Sequence, residues 1–267
     1  MATLRSRDAD QISRFLSQGS PPLEAVPVLV QLLAWDDVAR DVVKALRSVA
    51  SRVVGQLIDA LLDPERDFAI RRRLPRVLVT VPTQRSADGL LEGLSDVRFE
   101  VRYQCGRALS QIKAKNPDIV IPADRVEELA LKEVSVDRKV WESHRLLDEL
   151  DEPNGVDEAV GMVRARSDRS LEHVFTVLSL ILPSEPLKIA YHGLHTEDAE
   201  LRGTALEYLE SVLPEQLRES LWPFLEESGE RGPHRERSRK EVLEDLLRSS
   251  HSIQMNLEKL RRRRERG

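Results

Sequence analysis

The chain has 267 residues, 40 % of them hydrophobic and 33 % charged, with 12 Gly, 14 Pro and only 4 % aromatic side chains. That length serves one large or two small domains, and a charged share above the ordinary quarter suits an elongated molecule with much surface per residue. The formal net charge of −5 argues against a protein that coats nucleic acid along its whole face. The lone Cys105 excludes an intrachain disulfide and suits a reducing compartment.

The N-terminal "MATLRSRDADQISRFLSQGS" is polar and mixed in charge, without the apolar centre of a signal peptide. No run approaches the roughly 18 apolar residues of a membrane span; "VFTVLSLIL" at 174–182 comes nearest. A cytoplasmic protein without a transmembrane segment is therefore expected. Alternating Val-rich runs of the strand type are scarce, so the balance points to helices.

In chain order, residues 1–20 predict an N-terminal capping helix, stopped by "GSPP" at 19–22, because consecutive prolines cannot continue a helix. Residues 21–150 form a first group of helix pairs. One pair spans 25–50 with its corner near Trp35-Asp36, the next spans 54–81 with its corner at Asp63-Pro64, and a third turns at Ser95-Asp96. In this third pair Asp96 is placed to cap the first turn of the following helix. "AKNPDIVIPAD" at 114–124 interrupts the pattern, and 125–134 with 138–150 predict a fourth pair. "DEPNG" at 151–155 breaks the chain. Residues 151–227 then predict a long helix over 156–182 and the final pairs, 228–239 a polar loop, and 240–267 a helix with a basic tail.

The organising signal is a repeated phrase. "GLSDVRFEVRYQCGRAL" at 93–109 returns as "GLHTEDAELRGTALEYL" at 193–209: Gly93, Leu94, Glu100, Arg102 and Leu109 recur as Gly193, Leu194, Glu200, Arg202 and Leu209 with no slip. Asp63 and Asp96 lie 33 residues apart, and the 100-residue offset is close to three such periods. One antiparallel helix pair cannot cover its own apolar stripe, whereas stacked pairs bury a continuous core. Neither the ankyrin T-P-L-H signature nor the tetratricopeptide W-x-x-L-G-x-x-Y signature occurs.

The corners "DVRFEVR" and "TEDAELR" resemble the HEAT-repeat family, in particular its shorter bacterial, PBS-lyase-type repeat. Asp96, Glu100, Val101, Arg102, Ala108 and Leu109 match that pattern, and Glu200, Leu201, Arg202, Ala205 and Leu209 match it again. The resemblance implies an all-α, curved α-solenoid of about six or seven antiparallel helix pairs, a HEAT-like superhelix. It also implies a structural Asp–Arg ladder between repeats, so no catalytic role for Arg102 or Arg202. Residues about 170–227 are further similar to soluble HEAT domains attached to bacterial nucleotide-transporter-like membrane proteins, a likeness that does not carry nucleotide transport with it.

No Gly-rich phosphate loop, G-x-S-x-G or H-E-x-x-H occurs, and no enzyme activity, cofactor or metal is expected. His192 and His195 lie three apart near a helix end, which suits the helix dipole as well as a metal. Cys105 falls where a small core residue belongs. Trp35, Asp36 and Arg40 imitate the trio that some HEAT-like DNA glycosylases use, but aromatic residues are too few for a base-stacking wall. The second helices are locally basic: Arg71, Arg72 and Arg76, then Arg98 and Arg107, form a candidate positive strip. Arg261, Arg262, Arg263 and Arg264 in the tail are a second candidate, able to meet anionic lipid at about 1 kcal/mol per basic residue. The expected function is a scaffold that binds a protein partner along its concave face. A nucleic-acid-binding or glycosylase-like protein, and a regulatory domain beside a membrane transporter, are the alternatives.

Overall fold

The computed structural model describes residues 3–6, 8–135, 164–196, 198–225 and 237–248. All regular structure among them is helical, with no strand. Among the described residues no helix is long and apolar enough to cross a membrane. The expected helix 138–150, the break at 151–155 and the basic tail lie outside the described residues, as does most of the polar loop.

Helix α1 (Ala9–Ser17) starts where Asp8 accepts from the Gln11 backbone N–H at 3.0 Å and from its side-chain amide at 2.8 Å. It ends before Gly19, whose φ of +155° is the conformation that favours glycine. α2 (Val26–Leu32) leads through Trp35 into α3 (Asp36–Leu62), 27 residues with one non-helical residue, Val53. Two expected helices thus run end to end. Low helix propensity in "VVG" localises the break, and no loop is needed.

The second helix of the 54–81 pair differs from expectation. It is divided into α4 (Phe68–Arg73) and α5 (Pro75–Leu78), because Pro75 has no N–H to continue the ladder and its ring crowds the preceding turn. α6 (Gln84–Gly93) is capped by Thr83, whose hydroxyl accepts from the Ser86 N–H at 3.3 Å.

α7 (Phe99–Lys115) begins after Arg98, and the expected capping role of Asp96 is corrected: no side chain caps this helix. One Asp96 oxygen instead accepts the Arg98 N–H at 2.8 Å, closing an Asx turn before the helix. The other is held by Arg71. The interruption at 116–122 is tied down by a reciprocal pair: the Gln84 amide donates to Val120 O and accepts from Val120 N–H, both at 2.9 Å. Then come α8 (Ala123–Val134), α9 (Arg164–Leu178), α10 (Ser184–Leu194), α11 (Ala199–Val212) and α12 (Glu215–Leu225). A final helix, α13, covers 239–248.

The chain divides into two compact units, Met1–Arg125 with Asp137–Leu180 and Val126–Val136 with Ile181–Gly267. In the first, the N-terminal half of α3, α5 and α7 lie side by side, and α6 covers the C-terminal half of α3. There a Cβ on Gly89 would fall 2.7 Å from Ile58. Leu46, Leu57, Leu61, Ile70, Leu78 and Leu90 are fully buried between these rows. α9 lies against α7, where His173 meets the Phe99 ring edge-on at 5.5 Å and Tyr103 donates to Glu172 at 3.0 Å. In the second unit α10 and α11 form a hairpin, α12 lies against α11, and Arg237 clamps the start of α13 to Glu207.

The repeated phrase produces the same local construction in each unit. A Cβ on Gly93 would stand 2.6 Å from Cys105 Sγ, and one on Gly193 would stand 2.9 Å from Ala205 Cβ. Glycine and its small opposite number are therefore where the helices of each hairpin touch backbone to side chain. The turn is also shared: Asp96 accepts from the N–H two residues on at 2.8 Å, and Thr196 at the equivalent position does so at 3.3 Å. Val101 and Leu201, and Leu109 and Leu209, are buried in both.

Candidate functional site

The arginines divide into buried and exposed sets, and the structure redraws the expected strip. Arg71 and Arg72 are 7 % and 3 % exposed. Arg71 forms an ion pair with Asp96 and donates Nε to Leu61 O at 3.2 Å, bridging two neighbouring corners. Burial pushes its guanidinium below the ordinary value, opposed by the nearby Asp63 carboxylate. Arg72 stacks on Phe68 at 5.4 Å, and half-buried Arg98 lies over the same ring at 5.3 Å. Arg71 and Arg72 therefore leave the candidate surface. A charge withdrawn from water and paired is part of the core, and the pair is costly to break.

Two other arginines hold backbone carbonyls, Arg102 at its own corner and Arg202 at the end of α12. Arg102 donates to Asp96 O and Val97 O at 2.9 and 3.1 Å, and Arg202 donates to Leu225 O at 3.2 Å. Arg73 holds Asp36 and Leu33 O. Asp36 of the Trp35–Asp36–Arg40 trio is thus already engaged, and the Trp35 N–H is donated to Asp37 at 3.1 Å.

Arg76 and Arg107 remain exposed, and the fold brings them to one place. They border a cleft of about 240 Å³ with Arg47, Pro75, Gln104 and Gln111 among its walls. Arg47 comes from α3, Arg76 from α5 and Arg107 from α7, at sequence intervals of 29 and 31. Sequence reasoning missed Arg47. Its signal was present as Arg40, Lys44 and Arg47, a basic i, i+4, i+7 stripe on one helix face, all three exposed.

Arg47 donates Nε to Arg76 O at 2.9 Å, which fixes the stem and leaves the terminal nitrogens for a ligand. Arg107 lies over the Tyr103 ring at 5.6 Å. Among the described residues no carboxylate pairs with Arg47 or Arg107. Among the described residues no acidic side chain lines this cleft, and the nearby Glu100 accepts from the wall residue Gln104 at 2.6 Å. A neighbouring cleft between the end of α1 and α3 has both Asp41 and Lys44 in its wall.

The remaining candidates take structural positions. Cys105 is fully buried, and burial pushes its thiol far up. His195 Nδ1 lies 2.7 Å from Tyr191 O, and its ring lies 4.5 Å from the Tyr191 ring. Among the described residues no group of three or more metal-ligating side chains comes together. Arg261, Arg262, Arg263 and Arg264 lie outside the described residues. No protein-family model matches the chain, and no curated protein matches it.

Proposed function

We propose that the chain is a non-enzymatic scaffold, a solenoid of stacked HEAT-like helix pairs, and that it holds a protein partner against the exposed face of its second helices. One observation carries this reading: arginines from three successive second helices, Arg47, Arg76 and Arg107, border a single cleft. The recurrence of one hairpin construction around Gly93 and Gly193 supports the repeat reading. Each exposed charged contact is worth about 0.2–1 kcal/mol. Useful affinity therefore needs several of them held in fixed positions, so that little side-chain and loop entropy is lost on binding. Successive helices supply that spacing.

The test is a photo-crosslinking amino acid in place of Gln111, in the full chain inside its native source. A discrete adduct that protease removes and nuclease leaves intact is the expected result. An adduct removed by nuclease transfers the reading to nucleic acid, which the three arginines also favour. The absence of any adduct, with the same amino acid also placed at exposed Arg40 and Lys44, overturns the scaffold reading.

A further inference from the structure

We propose that the Arg47–Arg76–Arg107 cleft is a docking site for an acidic protein segment, one whose Asp or Glu carboxylates enter the cleft while its backbone meets Gln104 and Gln111. This rests on the scaffold reading and names the chemistry of the partner.

The first ground is an imbalance of charge. This protein pairs its arginines readily: Arg66 with Asp63, Arg71 with Asp96, Arg73 with Asp36, and Arg237 with Glu207 and Asp245. Arg47 and Arg107 have no carboxylate among the described residues, although the chain carries 46 acidic side chains. An anion from outside completes the arrangement, and a carboxylate fits the guanidinium fork in bidentate fashion.

The second ground is the rest of the wall. Gln104 and Gln111 lie one helical turn to either side of Arg107 on α7. Gln104 donates one amide N–H to Glu100 at 2.6 Å and keeps its oxygen and second N–H, and Gln111 is likewise a neutral amide. An amide that donates and accepts matches the alternating N–H and C=O of an extended peptide. Gln84 makes that reciprocal pair with Val120 elsewhere in this protein.

The third ground separates carboxylate from phosphate and from nucleic acid. Arginine forks also take phosphate, and many phosphate sites reinforce them with backbone N–H groups at a helix start. Here the helix start in the wall is Pro75, which has no N–H. Single-stranded nucleic acid is held by aromatic platforms. Among the described residues the wall has none: Tyr103 is 7 % exposed and lies beneath Arg107.

The experiment uses the full chain and a fluorescein-labelled twelve-residue peptide with Glu at every second position and Gly between, titrated by anisotropy at low salt. Three further probes are a Gln-for-Glu peptide, a phosphoserine-for-Glu peptide and a twenty-nucleotide oligo-dT. The Glu peptide is expected to bind at least tenfold more tightly than the Gln peptide and the oligonucleotide, and no more weakly than the phosphoserine peptide. R47E/R107E weakens it at least tenfold, and R107E alone, which loses contact only with the Tyr103 ring, weakens it at least threefold. R14E, the same charge change on exposed Arg14 of α1, leaves it within twofold.

Equal losses in R14E and R107E would show attraction to net charge alone and overturn the docking site. Preference for the phosphoserine peptide or the oligonucleotide overturns the carboxylate assignment. If no probe binds, the cleft assignment fails, while a protein adduct at Gln111 still sustains the scaffold. If the Glu peptide binds but no protein adduct forms, the scaffold reading fails and the cleft chemistry stands.

Discussion

Replacing Gly93 by Ala tests the construction of the repeated hairpin. The new Cβ lands 2.6 Å from Cys105 Sγ but at an ordinary 3.5 Å from Leu61 Cδ2 and 3.6 Å from Cys105 Cβ. The sulfur is therefore the whole obstacle, and full burial leaves it little room to rotate. Overpacking of this kind costs about 1–3 kcal/mol. Alanine's helix preference returns at most about 1 kcal/mol, less at Gly93 because it closes α6. Cys105→Ala alone loses about 1 kcal/mol of buried surface and packing.

In the double variant the added methyl occupies the space the sulfur left. The cost should fall below about 1.5 kcal/mol, as in other volume-conserving exchanges. The expected coupling is thus about 1–2 kcal/mol, read by urea unfolding and by hydrogen exchange over residues 84–115. Gly193→Ala should couple to Ala205→Gly in the same sense, since the nearest opposing atom there is a Cβ at 2.9 Å. The rescue is partial, because Leu201 O stands at 3.3 Å and glycine at 205 costs α11 about 1 kcal/mol. Strictly additive energies in both hairpins would refute the claim that close helix approach requires these glycines.

The buried Arg71–Asp96 pair gives a second expectation: Asp96→Asn costs about 3–5 kcal/mol by urea unfolding, whereas Arg71→Met with Asp96→Leu costs less, because no charge is stranded. Cys105 gives a pH dependence. Burial raises its thiol above the ordinary 9.0, so the folded chain keeps a proton that the unfolded chain loses. The stabilisation is complete below pH 9 and declines above it, by up to about 1.4 kcal/mol per unit. Cys105→Ala should remove that slope between pH 9 and 10, and an unchanged urea midpoint profile there contradicts it. Tyr208 is raised from 10.0 by burial as well, which confines the clean window to that interval. Finally, Arg237→Gln removes the guanidinium that bridges Glu207 and Asp245; exchange protection of residues 239–248 should drop about threefold to fivefold at low salt, a difference that 1 M salt abolishes.

Much of the helical plan was legible along the chain. Apolar spacing located α1, α6, α7, α10 and α11, and the 100-residue echo identified two hairpins whose glycines, turns and buried positions correspond. These features depend on neighbours within a few turns, and local sequence determines them. The division of α4 from α5 was also written locally, in Pro75, but periodicity alone hides it, because the apolar stripe continues through Ile70, Leu74, Val77 and Leu78.

The fate of the arginines was decided by tertiary contact. "RRR" at 71–73 reads as one basic run, yet Arg71 and Arg72 turn inward and Arg73 reaches back to Asp36, 37 residues earlier. Burial of an arginine depends on whether a distant carboxylate or carbonyl meets it, and no spacing rule along one helix contains that information. The same holds for the cleft. Arg47, Arg76 and Arg107 become neighbours because α3, α5 and α7 lie side by side. Sequence determined which helix faces are apolar, through a period every residue shares with its neighbours; only packing of those faces decided which polar side chains would share a surface.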